Sequence, residues 1–260
     1  MQVVLARLRG TPLVLRALLL LVVVVTVVLL VAARPPVFQD QGYLDHADQR
    51  ALLGVPNALD VLSNLPFLLA GWLGFRRSAA LRGPQRTAAR VAFAAIALVA
   101  LGSGYYHLEP GPARLLVDRL PISLAFAAIF AWVLGDRLGP RVTAVALWPL
   151  LVLSLLTLRI WYGSGALDGD LRPYALVQAL PLVALPILIA FFAGELDDRP
   201  LALALLLYGL AKLCELLDAP IFALGQVVSG HTLKHLLAAA ACLALVPRRP
   251  TPEVPPGGGR

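Results

Sequence analysis

The chain has 260 residues, 59% hydrophobic and 14% charged, with a mean hydropathy of +0.81, whereas a soluble domain carries about 45–50% apolar and about 25% charged residues. This excess excludes a secreted disulfide scaffold, a disordered chain and a nucleic-acid-binding domain, and it describes an all-α, polytopic transmembrane helix bundle. The net charge of +7 does not signal a nucleic-acid partner, because most arginines lie in short stretches between apolar runs, where positive charge sets topology.

The first uncharged apolar run, 17–33, follows Arg7, Arg9 and Arg16. Small residues close it, as at a signal-peptide cleavage site, but secretory h-regions run about 7–15 residues. The run is therefore read as an uncleaved helix, and residues 1–33 as a cytoplasmic stretch plus an extra N-terminal span. Seven more apolar segments follow at about 57–75, 88–107, 119–134, 142–160, 173–193, 200–217 and 229–247, each long enough to cross or nearly cross a bilayer. They make residues 34–247 a seven-span domain. The Pro/Gly-rich residues 248–260 read as a disordered cytoplasmic tail. Cys214 and Cys242 fall inside predicted spans and define no disulfide framework.

Loop charge tests this count independently of hydropathy. With the N-terminus inside and every segment spanning, the inner stretches and span ends hold 14 of the 22 basic residues: Arg7, Arg9, Arg16, Arg76, Arg77, Arg82, Arg86, Arg90, Arg137, Arg141, Arg199, Arg248, Arg249 and Arg260. The outer side holds six, Arg34, Arg50, Arg114, Arg119, Arg159 and Arg172, while Lys212 and Lys234 lie within spans. That bias follows the positive-inside rule and places both termini in the cytoplasm.

Polar groups within spans are costly and mark functional sites or pair with one another. Of four histidines, His107 closes the third segment in GSGYYHLEP, and His231 and His235 open the eighth in SGHTLKH. The topology puts all three at one depth near the outer surface. His231 and His235, at i and i+4, share a helix face. Two such nitrogens and a third histidine from another helix provide three protein ligands with an open position, the donor set of catalytic zinc. A lone HxxxH is a weak signal, and Asp118, at the start of the fourth segment beside Arg119, reads in isolation as a helix-start carboxylate or surface ion pair. Ser103 lies one turn before His107 and in isolation is a hydroxyl bonding back to its own helix. The coincidence of three His, Asp118 and Ser103 at one depth favours a metal site. Lys212 and Glu215 read as a structural i,i+3 ion pair. Asn57, Asp60, Ser63 and Asn64 form a further polar cluster which, with the acidic outer loop DQGYLDHADQR, offers the oxygens calcium prefers.

GSGYYHLEP, then VDRLP and later SGHTLKH, with NALDVLSNLPF before them, resemble the alkaline ceramidase family, part of a superfamily of seven-span, zinc-dependent membrane hydrolases that also includes the progestin and adipoQ receptors. The resemblance runs from about Asp40 to Val246 and is more specific to the superfamily than to ceramide. It implies zinc on His107, His231 and His235, Asp118 as the catalytic aspartate and Ser103 as an active-site serine. It also implies a calcium site near Asp40, Asp45, Asp48 and Asn57, although their acidic spacing differs from the eukaryotic pattern. Two further departures are Lys234, where eukaryotic members carry an aromatic, and the extra N-terminal span.

The expectation is a hydrolase of a lipid amide, ceramide-like, releasing a fatty acid and a sphingoid base, with the lipid as partner within the bilayer. The rivals are hydrolysis of another lipid amide or ester and a non-catalytic, receptor-like protein braced by a structural metal. Two lysines against 20 arginines, with abundant Ala and Leu, point to a GC-rich bacterial genome and hence to the plasma membrane, with the site on its outer face. Nothing in the sequence sets the oligomeric state.

Overall fold

The computed structural model describes residues 6, 8–165 and 167–247; the predicted tail 248–260 lies outside them. Helix α1 (Leu13–Ala32) is followed by a strap, residues 34–57, containing a 3-10 turn at Gln41–Leu44. Next come α2 (Ala58–Leu62), α3 (Leu65–Arg77), α4 (Gly83–Leu108), α5 (Pro112–Leu138), α6 (Pro140–Tyr162) and α7 (Arg172–Phe191). The chain ends in α8 (Asp198–Leu216), the short α9 (Asp218–Ala223) and α10 (Gly230–Ala244). Prolines open several of these helices, in the first turn of α3, α4, α5, α6 and α7, where the missing N–H would have no intrahelical partner.

The fold is an all-helical membrane bundle, and every predicted segment is helical. Six helical stretches among the described residues are long and apolar enough to cross a membrane: 13–32, 58–80, 83–108, 112–138, 140–162 and 172–191. The last two predicted spans differ. Helix α8 carries Asp198, Arg199, Lys212 and Glu215. Helix α10 has only 15 residues, about 22 Å of rise against a hydrocarbon core of about 30 Å.

Helix α5 packs along α4 and α6, α3 along α4, and α8 along α10. Small residues line the centre: Ala88, Ala89, Ala92, Ala128 and Ala131 are fully buried, beside Phe93, Ile96 and Trp132. Without a hydrophobic driving force between helices in lipid, such small residues let backbones approach and gain dispersion contacts. At Gly102 a Cβ would come within 2.6 Å of the Val117 carbonyl oxygen, so this glycine brings the C-terminal end of α4 against α5. Helix α1 leans on α7, tied by Arg16 to the Phe191 carbonyl (2.7 Å) and by Arg9 to Asp198 (2.6 Å). Asp198 also pairs with the buried Arg137 at 2.9 Å, joining α1, α5 and α8 at one end of the bundle. Asp118 lies 19 positions before Arg137 on α5, a rise of roughly 28 Å. The two polar ends of the bundle are therefore about one hydrocarbon thickness apart.

Gly102→Val is expected to overpack the α4–α5 crossing and cost about 1–3 kcal/mol, seen as a lower thermal unfolding midpoint in detergent. An unchanged midpoint would mean that this approach is not tight.

Candidate metal centre

All four histidines of the chain gather in the interior of one end of the bundle. At the start of α10, Ser229 caps the helix by accepting from the Thr232 N–H, and Thr232 Oγ1 donates to Asp60 Oδ1 at 2.6 Å. The Asp218 carboxylate accepts the His231 N–H at 2.7 Å and the Ala47 N–H at 3.0 Å. One side chain thus fixes both the helix bearing His231 and the strap residue next to His46. Gly230 makes room for this, since a Cβ there would lie 2.7 Å from the Asp218 Cα. From α4, His107 is held through its carbonyl, which accepts from the Asn57 side-chain amide at 2.8 Å.

Helices α2 and α3 form one span interrupted at Ser63 and Asn64, and the interruption faces His235. Ser63 Oγ donates to the Asp60 carbonyl at 3.1 Å and lies 2.8 Å from His235 Nδ1. With its proton committed to that carbonyl, the hydroxyl oxygen accepts from His235 Nδ1–H, which leaves Nε2 with a free lone pair. This is how a ligating imidazole is oriented by an outer partner.

The rings of His107, His231 and His235 have centroids 4.7–4.9 Å apart, so the structure brings the three expected ligands together. His107 Nε2 and His231 Nε2 are 3.3 Å apart, the separation of about 3.3 Å that two nitrogens have at the corners of a tetrahedral ion with bonds of about 2.0–2.1 Å. The residue that sequence reasoning missed is His46. Its ring lies 4.7 Å from that of His107 and 4.2 Å from that of His231, and its Nε2 is 3.2 Å from the Tyr106 hydroxyl. Among the His, Cys, Asp and Glu of the described residues, the ligand atoms of His46, His107 and His231 all lie within 4.8 Å of one another, a group that does not include His235. His107 and His231 are thus the common edge of two triangles, closed on one side by His235 and on the other by His46. Burial and the nearby Lys234 ammonium hold the His46 imidazole down to about 4, so at neutral pH it offers a lone pair.

His107 Nδ1 and Asp118 Oδ1 are buried without a hydrogen-bond partner among the described residues.

Asp118 and Arg119 are both buried, at 8% and 7% exposure, so the surface-pair reading does not hold. Arg119 stacks in an aromatic box made by Tyr43, Trp161 and Tyr174, its guanidinium 4.3–5.2 Å from their centroids. Ser103 is buried, and its hydroxyl faces the Asp118 carboxylate. Glu215 is bonded to Lys212 as expected, and it also meets Lys234 Nζ (3.3 Å) and the Tyr43 hydroxyl (3.2 Å). Lys234 Nζ donates to His231 Nε2 at 2.8 Å, so an ion bound at that nitrogen would displace the ammonium toward Glu215.

The calcium candidates do not converge. Asp40 caps the 3-10 turn through the Gly42 N–H, and Asp45 ends that turn. Asp48 pairs with Arg50 at 2.7 Å, and this partner holds its carboxyl below the usual range. Asn57 turns its amide donor toward His107. Asp60, Ser63 and Asn64 serve α10 and His235 instead of forming an oxygen cage. No family model matches the chain, and no curated protein matches it.

Elemental analysis of the purified protein is expected to find about one transition-metal ion per chain, and a His107→Ala, His231→Ala variant to lose it, because that pair is common to both triangles. Full retention of metal in the double variant would remove the centre.

Proposed function

We propose that the chain is a zinc-dependent hydrolase, embedded in the membrane, that cleaves a lipid amide like that of ceramide to a fatty acid and a sphingoid base. The observation that carries this reading is Asp118 Oδ1, a buried carboxylate oxygen with no hydrogen-bond partner among the described residues, at the end of the bundle where the imidazoles cluster. A purely structural centre has no use for it.

Zinc on the imidazoles would supply a Lewis acid for a carbonyl oxygen and acidify a water molecule. The chain's own residues do the rest. Asp118 takes a proton from the attacking water at Oδ1 and returns it to the leaving amine, the ordinary work of a general acid-base group. The Ser103 hydroxyl steadies that carboxylate. Arg119, fixed in its aromatic box, keeps a positive charge beside Asp118. The apolar helices around the site exclude bulk water and accept acyl chains, so the linkage of a lipid reaches the polar end while its tails stay in hydrocarbon. The same chemistry extends to other lipid amides and to esters.

In this reading the metal end faces outward and both termini lie in the cytoplasm of a bacterial plasma membrane, in line with the 14 to six distribution of basic residues. A second reading, a non-catalytic protein braced by its metal, has His46 in its favour, since a fourth imidazole can close the coordination shell.

Asp118→Asn is expected to keep metal and fold but to lower the turnover of the preferred lipid by about 10²–10⁴-fold. Wild-type turnover in that variant would remove the proton-transfer role. For the topology, a cysteine at Ala79, introduced into a chain with Cys214 and Cys242 replaced, should resist impermeant thiol reagents in intact cells and react after permeabilisation; labelling of intact cells would reverse the orientation.

A further inference from the structure

We propose that His46 is a loop-borne ligand of the metal centre, so that the ion at rest is held by four imidazoles and the strap is pinned over the site by the ion itself. The inference rests on the metal-binding part of the reading above and not on hydrolysis.

Four imidazoles around one tetrahedral ion, each bonded at about 2.0–2.1 Å, have ring centroids about 5 Å apart. The five ring pairs that link His46, His107, His231 and His235 through the shared edge lie at 4.2–4.9 Å, with the planes tilted by 55–89°. The sixth pair, His46 with His235, is not among these ring contacts, so the rings form two triangles folded about the His107–His231 edge, and an ion held by all four would draw His46 and His235 toward each other. Two of them also show the division of labour of a ligating histidine, in which one ring nitrogen is taken by an outer partner and the other is left for a metal. For His235 the outer partner is Ser63, and for His46 it is the Tyr106 hydroxyl, which occupies Nε2 and leaves Nδ1.

His46 differs from the other three in what carries it. His107, His231 and His235 stand on α4 and α10, whereas His46 lies on the irregular strap after the 3-10 turn. The strap is fastened at its edges: Leu171 N–H to the Val37 carbonyl (2.7 Å), Tyr43 to Glu215 (3.2 Å), Ala47 N–H to Asp218 (3.0 Å), and Arg50 to the Val227 carbonyl (2.9 Å). Between these ties His46 is buried at 6% exposure, with its ring against those of His107 and His231. Among the four ligands, the one on irregular backbone is the one that can leave without unfolding a helix. His46 therefore guards the fourth position, and its departure opens the site to a carbonyl oxygen or to water.

The test is X-ray absorption at the zinc edge on the full chain loaded with zinc alone, paired with hydrogen exchange of residues 34–57. The wild type is expected to show four imidazole nitrogens, while His46→Ala and the more conservative His46→Gln show three plus one oxygen and keep about one zinc, held about 10-fold or more weakly. Chelation should speed exchange of the strap in the wild type and leave it unchanged in the variants. Three imidazoles in the wild type, unaltered in the variants, would overturn the role of His46 and leave the metal reading standing. A wild type that binds no zinc would overturn both. The wild-type spectrum decides the matter even if neither variant folds.

Discussion

Four imidazoles buried in an apolar helix bundle impose a condition on everything around them: each neutral ring has one N–H to donate and one lone pair to satisfy. Much of the local architecture answers that condition. The break between α2 and α3 exists at the point where a serine oxygen meets His235, and the Asp60 carbonyl that the break exposes takes the serine proton. Asp218 ends the run of α8 and grips both the start of α10 and the strap. Tyr106, one residue before His107, turns inward to His46. His107 and His231 bring their Nε2 atoms to 3.3 Å, with the Lys234 ammonium 2.8 Å from the latter. A metal ion bound there would tie the strap, α4 and α10 together at the histidine end of the bundle.

The charges next to the cluster are paired with similar economy. Lys234 lies beside His231, and its ammonium would oppose a metal cation if it were free. Glu215 holds it, and Glu215 is in turn bonded to Lys212 and Tyr43. Arg119 is neutralised less by an anion than by three aromatic faces, leaving Asp118 uncommitted at one oxygen. A carboxylate in that state is suited to carrying a proton.

The fold class was legible because apolar run length and the placement of arginines are properties of local sequence, and both respond to the same bilayer. The common depth of His107, His231 and His235 followed from topology alone, since each stands at the end of a span. His46 was visible in DQGYLDHADQR only as one polar residue among several. Its partners Tyr106, His107 and His231 are between 60 and 185 positions away, and a strap without periodicity carries no sign of where it folds. The burial of Asp118 and Arg119 was hidden for a like reason, because their aromatic box is assembled from the strap, α6 and α7. The shortness of α10 was hidden by the apolar residues after Ala244, which continue the hydropathy without continuing the helix. Asp40 and Asp48 misled in the opposite direction: acidic residues close in sequence look like an oxygen cage until a neighbouring backbone N–H and Arg50 are seen to claim them.

The central claim is that the buried imidazoles make this chain a metal-dependent lipid hydrolase. Mass spectrometry of a mixture of ceramides, N-acyl lipids and lipid esters incubated with the purified protein tests it most directly, with the protein as isolated, stripped by chelator, and restored with zinc. The account predicts release of free fatty acid that disappears on chelation and returns with zinc, greatest for a ceramide-like amide. No fatty acid from any of these lipids with the zinc-loaded protein would contradict it and leave the metal as a brace.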